Sequence, residues 1–209
     1  MKNCSHRFGV LVLAAGASRR MGRPKALLPW RKGTVLAHHQ SVWNLAGAQQ
    51  VAMVVDPANN AVLDELRCLN WVDVIANDQP EDGMMSSLRI ASAWPHWQKD
   101  LQSVAVILVD QPQFPLTAAR RLMDLAAVHV DEICQPQSGG RRGHPVVLPY
   151  SVFAGLASTP AATMRDYLRE IHIPRRVLEL ESSWWLDDMN VPGAYERILE
   201  LSVESNALG

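Results

Sequence analysis

The chain has 209 residues, of which 48% are hydrophobic and 20% charged, and its formal net charge at pH 7 is −1. This is the composition of an ordinary soluble globular protein. The chain is long enough for one domain with a substantial core or for two small domains. No apolar run approaches the length of a membrane-spanning helix, and the N-terminal apolar run merges into a loop motif, which disfavours a signal peptide.

Alternating apolar runs and amphipathic segments predict a regular succession of strands and helices. Strands are expected at residues 8–14, 51–55, 72–76, 104–109, 132–136, 146–148 and 175–180. Helices are expected at residues 35–45, 59–66, 84–94, 116–129, 151–157, 162–171 and from 193 onward. Thr34 is expected to cap the first helix, and Pro24 and Pro29 keep residues 15–33 a loop.

This alternation is typical of an α/β fold, and we expect a three-layer, Rossmann-like α/β/α arrangement around a mostly parallel sheet. The closely spaced strands around SGGRRGHP predict an antiparallel excursion near one edge. The sequence has no internal repeat and no long linker, so we expect residues 1–209 to form a single domain.

The most informative stretch is residues 9–25, GVLVLAAGASRRMGRPK, in which a buried strand ends at small residues and a basic loop follows. Loops after parallel strands lie where open α/β sheets bind ligands, and small residues let backbone N–H groups approach phosphates. We interpret the loop as a triphosphate-binding segment; the alternative is a plain turn with surface bases. It has neither the GxxxxGK[ST] nor the GxGxxG spacing.

Charge is distributed unevenly along the chain. Residues 1–55 carry eight bases and no acid, six of those bases within residues 19–32, whereas residues 56–209 carry 12 bases and 21 acids. Such a concentration focuses positive potential and favours a small polyanionic ligand. Nucleic acid is the rival partner, but the sequence has neither a basic face nor a known nucleic-acid-binding module, so we expect none.

The cysteines indicate a reducing compartment. Cys4, Cys68 and Cys134 are odd in number, far apart and in no C-x-x-C arrangement. We therefore expect free thiols and a cytoplasmic protein rather than disulfides or a zinc site.

A second candidate site lies at Asp110, where the strand VILVD meets the segment Asp110-Gln111-Pro112. If this strand is parallel to the first, its carboxylate lies at the same sheet edge as the basic loop. A carboxylate facing a triphosphate is a suitable Mg²⁺ ligand. The alternative is a solvated aspartate at a strand end, or one near the start of the next helix.

LAAGASRRMGRPK resembles the LAAGxSxRMGxxK signature of the MobA-like NTP transferases, and within them of the molybdenum cofactor cytidylyltransferases. The resemblance implies a nucleotide-diphospho-sugar transferase-like fold in which Arg20 and Lys25 contact the triphosphate and, with Asp110, carry the catalysis. It implies further nucleotide contacts from Leu13, Ala14, Ala15, Gly16 and Ser18. Guanylyl-transferring relatives carry LAGG at this point, so LAAG favours CTP.

Three more segments resemble the same family. Asp110-Gln111-Pro112 and Asp188-Met189-Asn190 match its metal-binding motifs. They imply that Asp110 and Asn190 hold Mg²⁺, or alternatively Mn²⁺, with Asp188 as a water-mediated helper. Asn190 could instead cap the final helix. NDQPEDGMMSSL matches a GMxxSL segment that touches the base and sugar, which implies contacts from Gly83, Met84 and Ser87.

Gly143-His144-Pro145 resembles the family's GHP[VI] element near the acceptor, which implies acceptor binding by His144 and by the adjacent Arg141 and Arg142. A structural histidine beside a tight turn is the alternative. The family's GDxGAR element is absent, and Arg165 is the candidate replacement for its arginine. The pair Trp184-Trp185 covers either a core edge or the ring system of the acceptor.

The resemblance thus implies a Mg²⁺-dependent nucleotidyltransferase that moves CMP from CTP to the terminal phosphate of molybdopterin or its molybdenum form. A molybdoenzyme or its delivery chaperone is the implied protein partner. Three alternatives stay open: a guanylyl-, sugar-phosphate or other small-phosphate nucleotidyltransferase, a non-catalytic module that binds and delivers the cofactor, and an NAD-type oxidoreductase. The missing GxGxxG disfavours the last.

Overall fold

Strands and helices alternate along the computed structural model, which describes residues 6–16 and 18–207; Cys4 lies outside these residues. The strands are β1 (Phe8–Leu13), β2 (Pro29–Trp30), β3 (Gly33–Thr34), β4 (Gln50–Val55), β5 (Val74–Ala76), β6 (Ser103–Leu108), β7 (Ile133–Ser138), β8 (Arg141–Arg142), β9 (Val146–Pro149) and β10 (Arg175–Glu179). The helices are α1 (Val35–Leu45), α2 (Asn60–Cys68), α3 (Met84–Ser92), α4 (Leu116–Val128), α5 (Tyr150–Gly155), α6 (Met164–Glu170) and α7 (Pro192–Ala207).

The main sheet is mixed but mostly parallel, as predicted. Its strand order is β10-β7-β9-β6-β1-β4-β5, and the short β8 pairs with β7. β1 is parallel to both of its neighbours, whereas β9 is antiparallel to β6 and to β7. The antiparallel excursion is therefore present, and β9 lies inside the sheet, third from the β10 edge.

Helices cover both faces of this sheet, because successive strand residues point to opposite sides. In β1, Val10 and Val12 pack into one hydrophobic cluster, and Leu11 and Leu13 pack into the other. Helices α1, α2, α4 and α7 contribute to the first cluster, and α3, α5 and α6 to the second. The result is the three-layer α/β/α arrangement that the sequence predicted.

The strand order creates a crevice between β1 and β6. The chain leaves β1 to build β4 and β5 on one side, and it then returns to form β6 on the other side of β1. Ligands of open α/β sheets bind at such a switch point, outside the carboxyl ends of the strands. Leu13 pairs with Leu108 in parallel register, so the basic loop and Asp110 leave the sheet at the same edge.

One strand starts later than predicted. β5 begins at Val74 and not at residue 72, and residues 71–73 have no regular secondary structure. Trp71 is buried and its Nε1 donates to the Val51 carbonyl at 2.7 Å, whereas Val72 is 85% exposed. Only the remaining three residues pair with β4.

The segment between β1 and α1 has more regular structure than the predicted loop. It contains the 3-10 turns Arg19–Met21 and Lys25–Leu27 and the β2–β3 hairpin. The Pro24 carbonyl accepts a bond from Leu27 N at 3.0 Å, which closes a tight turn. Proline can begin such a turn, but it has no N–H to donate to a preceding helical turn. Thr34 is confirmed as the cap of α1, since its side chain accepts from Ala37 N.

The described residues contain neither a disulfide nor a membrane-spanning helix. Cys68 and Cys134 are both free, and burial raises the pKa of Cys134 to about 11, so this thiol stays protonated at neutral pH. No helix combines the length and the apolar character that crossing a bilayer requires.

Gly9 in β1 provides a test of packing in this fold. A Cβ at this position would lie 2.9 Å from Trp97 Cζ3 and 3.0 Å from Leu101 Cδ1. We therefore expect Gly9→Ala to lower the free energy of unfolding by about 1–3 kcal/mol through overpacking, as measured by urea denaturation. Gly193→Ala is the control, because no heavy atom lies within 4 Å of its Cβ and alanine favours the helix. An equal loss in both variants would contradict this account.

Candidate active site

The loop after β1 folds back on itself through the side chain of Ser18. Its Oγ accepts a bond from Lys25 N at 3.2 Å and donates to the Gly16 carbonyl at 3.4 Å. Ser18 has a φ of +48°, and Met21 N donates to its carbonyl at 2.9 Å. These bonds place the backbone of Lys25 close to the end of β1, while the side chain of Arg20 stays exposed.

Lys25 joins the two residues that were predicted to hold metal. Its Nζ lies 2.7 Å from Asp110 Oδ2 and 2.6 Å from Asn190 Oδ1. The Lys25 and Asp110 side chains are only 13% and 17% exposed, so the ion pair is largely shielded from water. The Asn190 side chain accepts a bond from this ammonium through its amide oxygen.

Glutamine side chains after Asp110 draw the C-terminal segment to the site. Gln111 Nε2 donates to the Leu186 carbonyl at 3.3 Å, and Gln113 Nε2 donates to the Trp185 carbonyl at 3.3 Å. Met189 N in turn donates to the Asp110 carbonyl at 3.2 Å. Asn190 therefore reaches Asp110 through a set of bonds between two loops, which no local sequence pattern predicts. The neighbouring Asp188 is exposed.

Two histidines of helix α1 hold the Asp110 loop by bonds to its backbone. His39 Nε2 bonds to the Val109 carbonyl at 3.1 Å, and His38 Nε2 bonds to the Pro112 carbonyl at 2.8 Å. Each nitrogen must carry a proton to donate, so each ring is the Nε2–H tautomer. Burial lowers the pKa of His38 to about 3 and that of His39 to about 4. Sequence reasoning found no role for this pair, because its partners are backbone carbonyls some 70 residues away.

His144 lines a small cavity together with Gln111 and Pro112 of the Asp110 loop. Burial lowers its pKa to about 4, although the negative charge of Asp110 acts in the opposite direction. Its Nε2 is inaccessible and has no partner among the described protein atoms, and neither has Gln111 Oε1. Both residues line one small cavity. At neutral pH the imidazole of His144 is therefore an uncharged hydrogen-bonding group.

The loop before α3 is organised by Asn77. This fully buried residue donates from Nδ2 to Ser86 Oγ and to Ser87 Oγ, both at 2.9 Å. The direct nucleotide contact implied for Ser87 is not supported by this geometry, because its hydroxyl is buried and bound to Asn77. Gly83 and Met84 are exposed at the start of α3, and Gly83 has a φ of +82°.

A large open groove lies between this loop and the C-terminal half of the chain. Its lining includes Gly83 and Met84 from the start of α3, Gly143 and His144 from the loop before β9, and residues of and near α6. Its basic lining residues are Arg142, Arg165, Arg169 and Arg175. Two acidic residues, Asp82 and Asp166, also line it, so the groove carries a net positive charge.

The two adjacent arginines predicted to bind the acceptor lie on one strand, and only one of them lines the groove. Arg141 and Arg142 form β8, and both are exposed. Neighbouring strand residues point to opposite faces, and Arg142 lines the groove whereas Arg141 does not. The prediction for Arg141 is therefore not supported by its position.

Trp185 belongs to the core and not to an acceptor-binding surface. It is 2% exposed, and its ring meets Phe114 edge-on at a centroid distance of 5.7 Å. A Cβ at Gly143 would lie 2.8 Å from Trp185 Cζ3, so a glycine allows the loop before β9 to approach this ring. Trp184 is half-buried and packs against the same cluster.

The site is suited to a divalent ion that arrives with a phosphate ligand. Asp110 and Asn190 direct two hard oxygen donors at one point, where the ammonium of Lys25 lies. Among the described residues, no group of three or more His, Cys, Asp or Glu side chains could hold a metal alone. Mg²⁺ usually binds one or two carboxylates together with phosphate oxygens and water, and this donor set fits that pattern.

Comparison with known families agrees with this geometry. Residues 10–177 match the MobA-like NTP transferase domain. The chain belongs to this family. The match runs from β1 into β10, and so it includes the basic loop, Asp110, the loop before α3 and the open groove.

Characterised relatives of this MobA-like chain carry two different activities in their names. Nicotine blue oxidoreductase of Paenarthrobacter nicotinovorans is 32% identical over 171 residues, which are 78% of this chain and 81% of the relative. Molybdenum cofactor cytidylyltransferase of Escherichia coli is 25% identical over 199 residues, which are 91% of this chain and 97% of the relative. Family membership therefore makes the chain a nucleotidyltransferase by fold and class without fixing its substrates.

Solved structures give the same fold. Rv0371c of Mycobacterium tuberculosis superposes with a TM-score of 0.78 at 30% identity, covering 94% of this chain and 99% of the other. A second structure of Rv0371c, described as a complex with manganese, gives a TM-score of 0.73 at 29% identity and covers 93% of this chain and 98% of the other.

The lowered pKa values of three histidines predict how the stability of this MobA-like domain depends on pH. Folding lowers the pKa of His38, His39 and His144 from 6.5 to between about 3 and about 4. The unfolded chain therefore binds more protons between these values, so stability is complete above about pH 6.5 and is lost as the pH falls towards 4. For His39 alone, which is 4% exposed, we expect a loss of about 1 kcal/mol per pH unit.

His39→Gln tests this prediction, since its amide can still donate to Val109 but cannot titrate. Urea denaturation between pH 7 and pH 4 should show a shallower pH dependence in this variant, by about one proton. His96→Gln, at an exposed residue, is the matched control. An unchanged slope in His39→Gln would show that His39 does not stay neutral in the folded chain.

Proposed function

We propose that this chain transfers CMP from CTP to the terminal phosphate of molybdopterin or its molybdenum form. An oxygen of the acceptor phosphate bonds to the α-phosphorus of CTP, the bond from that phosphorus to the β-phosphate oxygen breaks, and pyrophosphate leaves. The observation that carries the proposal is the convergence of Lys25, Asp110 and Asn190 beside the loop after β1. An acceptor phosphate is already ionised, so the reaction needs no general base.

The basic loop would bind the triphosphate. Lys25 approaches from the end of β1, and the exposed Arg20 lies on the 3-10 turn before it. Leu13, Ala14, Ala15 and Gly16 lead into the loop, where small residues permit close approach of backbone N–H groups. Such positioning and charge neutralisation supply most of the catalysis in phosphoryl-transfer enzymes.

Asp110 and Asn190 would hold Mg²⁺, or Mn²⁺ in its place. When bound, the divalent ion neutralises charge on the phosphates and polarises the reacting phosphoryl group. The chain's own contribution is to keep the carboxylate and the amide oxygen at one point. Two sets of hydrogen bonds do this. Those from His38 and His39 hold the loop that carries Asp110, and those from Gln111 and Gln113 hold the segment that leads to Asn190.

The base and the acceptor would contact different residues of the same groove beside this centre. Exposed Gly83 and Met84 open towards the groove, where a base and sugar could contact them, and the LAAG sequence supports CTP over GTP. The acceptor would occupy the groove next to His144, with its phosphate near Arg142. The arginines that line the groove favour an anionic acceptor.

One relative supports a second candidate. Because nicotine blue oxidoreductase is 32% identical to this chain, an oxidoreductase activity has to be tested beside the transferase activity. The two candidates differ in cofactor: a cytidylyltransferase binds CTP with Mg²⁺, whereas an NAD-type oxidoreductase binds NADH or NADPH.

A thermal-shift panel separates these candidates. We expect CTP with Mg²⁺ to raise the melting temperature more than GTP, UTP, ATP, NADH or NADPH, because binding only the folded state stabilises it. Preferential stabilisation by GTP would refute the choice of CTP. Stabilisation by NADPH or NADH in the absence of any nucleoside triphosphate effect would favour the oxidoreductase.

Asp110→Ala tests the catalytic centre. With CTP, Mg²⁺ and molybdopterin, we expect its rate of pyrophosphate release to fall on the order of 100-fold, the usual effect of removing a group that organises charge in the transition state. Asp124→Ala, at an exposed position on α4, is the control. Pyrophosphate release at the wild-type rate in Asp110→Ala would refute the metal assignment.

The two arginines of β8 form a matched pair for the acceptor side. Arg142→Ala should raise the KM for molybdopterin about tenfold or more, as loss of a charged hydrogen bond does, with little effect on the KM for CTP. Arg141→Ala should leave both values near wild type, because only Arg142 lines the groove. Equal effects in steady-state kinetics would show that the acceptor lies elsewhere.

A further inference from the structure

The Lys25 ammonium lies where a metal ion would have to bind. It donates to Asp110 Oδ2 and to Asn190 Oδ1, which belong to the two residues that would hold a divalent ion in the proposed function. We propose that Lys25 and the metal ion exclude each other at this pair of oxygens. On this basis the metal enters together with the nucleotide, whose phosphates receive the displaced ammonium.

Charge balance requires such an exchange. Lys25 and Asp110 form a pair of opposite unit charges that is largely shielded from water. A divalent ion bound beside the ammonium would leave one carboxylate facing three positive charges, and like charges repel strongly at such short distances and low exposure. A triphosphate supplies enough negative charge for both cations, so it is the component that allows both to remain.

The coordination chemistry leads to the same conclusion. Asp110 and Asn190 provide two oxygen ligands, and the described residues offer no cluster of three or more metal-binding side chains. Mg²⁺ prefers six oxygen ligands and usually takes several from phosphates and water. Without nucleotide, the metal has few protein ligands and a competing cation; with nucleotide, it gains ligands and loses the competitor.

The local structure lets the Lys25 side chain move without moving its backbone. Lys25 N donates to Ser18 Oγ at 3.2 Å, and the Lys25 carbonyl accepts from Leu28 N at 3.1 Å. The backbone is thereby fixed in a 3-10 turn, while four rotatable side-chain bonds carry the ammonium. The ammonium can turn from Asp110 to a phosphate bound at the same loop.

This exchange predicts reciprocal coupling between metal and nucleotide. CTP should tighten metal binding, and metal should tighten CTP binding by the same factor. A neutral residue at position 25 removes the competitor. The metal should then bind tightly without nucleotide, and CTP should increase its affinity by a smaller factor than in the wild type.

Direct Mn²⁺ titration of the full chain, followed by the electron paramagnetic resonance signal of free Mn²⁺, tests the proposal without any turnover. We expect Lys25→Met to bind Mn²⁺ on the order of tenfold more tightly than wild type in the absence of CTP, within the usual range of coupling between two sites. Lys32→Met, which removes an exposed lysine after β2, should bind Mn²⁺ as wild type does. The gain should disappear in Lys25→Met/Asp110→Asn.

Lys25→Gln is the second variant, since its amide can donate to Asp110 if Lys25→Met fails to fold. Equal or weaker Mn²⁺ binding by a folded Lys25 variant would overturn the proposal, as would a gain that survives Asp110→Asn. The thermal shift with CTP is measured separately. A CTP shift without a gain in metal affinity refutes only the exclusion, whereas a gain without a CTP shift refutes the proposed function and leaves the exclusion standing.

Discussion

A single ammonium group connects three parts of the chain that lie far apart in sequence. Lys25 is 85 residues from Asp110 and 165 from Asn190. Shielding such charges from water is costly unless the geometry is good and the remaining polar groups are satisfied. The parallel register of β1 with β6, the glutamine bonds to the C-terminal segment and the turn closed by Ser18 all serve to keep these three side chains together.

The groups that support this centre are uncharged. His38 and His39 bond to backbone carbonyls on either side of Asp110, and burial keeps both rings neutral near pH 7. A neutral support fixes the loop without adding another positive charge to compete for the carboxylate. Lys25 of the basic loop is the cation that pairs with Asp110 among the ion pairs of the described residues.

The mixed sheet divides the site into two sides. The parallel half, β1 with β4 and β6, brings the basic loop and Asp110 to one edge. Insertion of β9 between β6 and β7 then places Gly143 and His144 beside the end of β6. Asp110 and the groove-lining His144 are thus close enough to interact electrostatically, as the proposed transfer between two phosphorylated substrates would require.

Local sequence determined most strands and helices, the Thr34 cap and the position of the basic loop, and it is the source of the proposal that Asp110 and Asn190 hold a metal ion. These features depend on periodicity, capping and motif spacing, which act over a few residues. Tertiary structure decided that Arg142 rather than Arg141 lines the groove, that Ser87 bonds to Asn77, that His38 and His39 hold the Asp110 loop, and that Trp185 packs into the core. Each of these depends on strand order and register, because the partners come from distant segments whose approach no local pattern records.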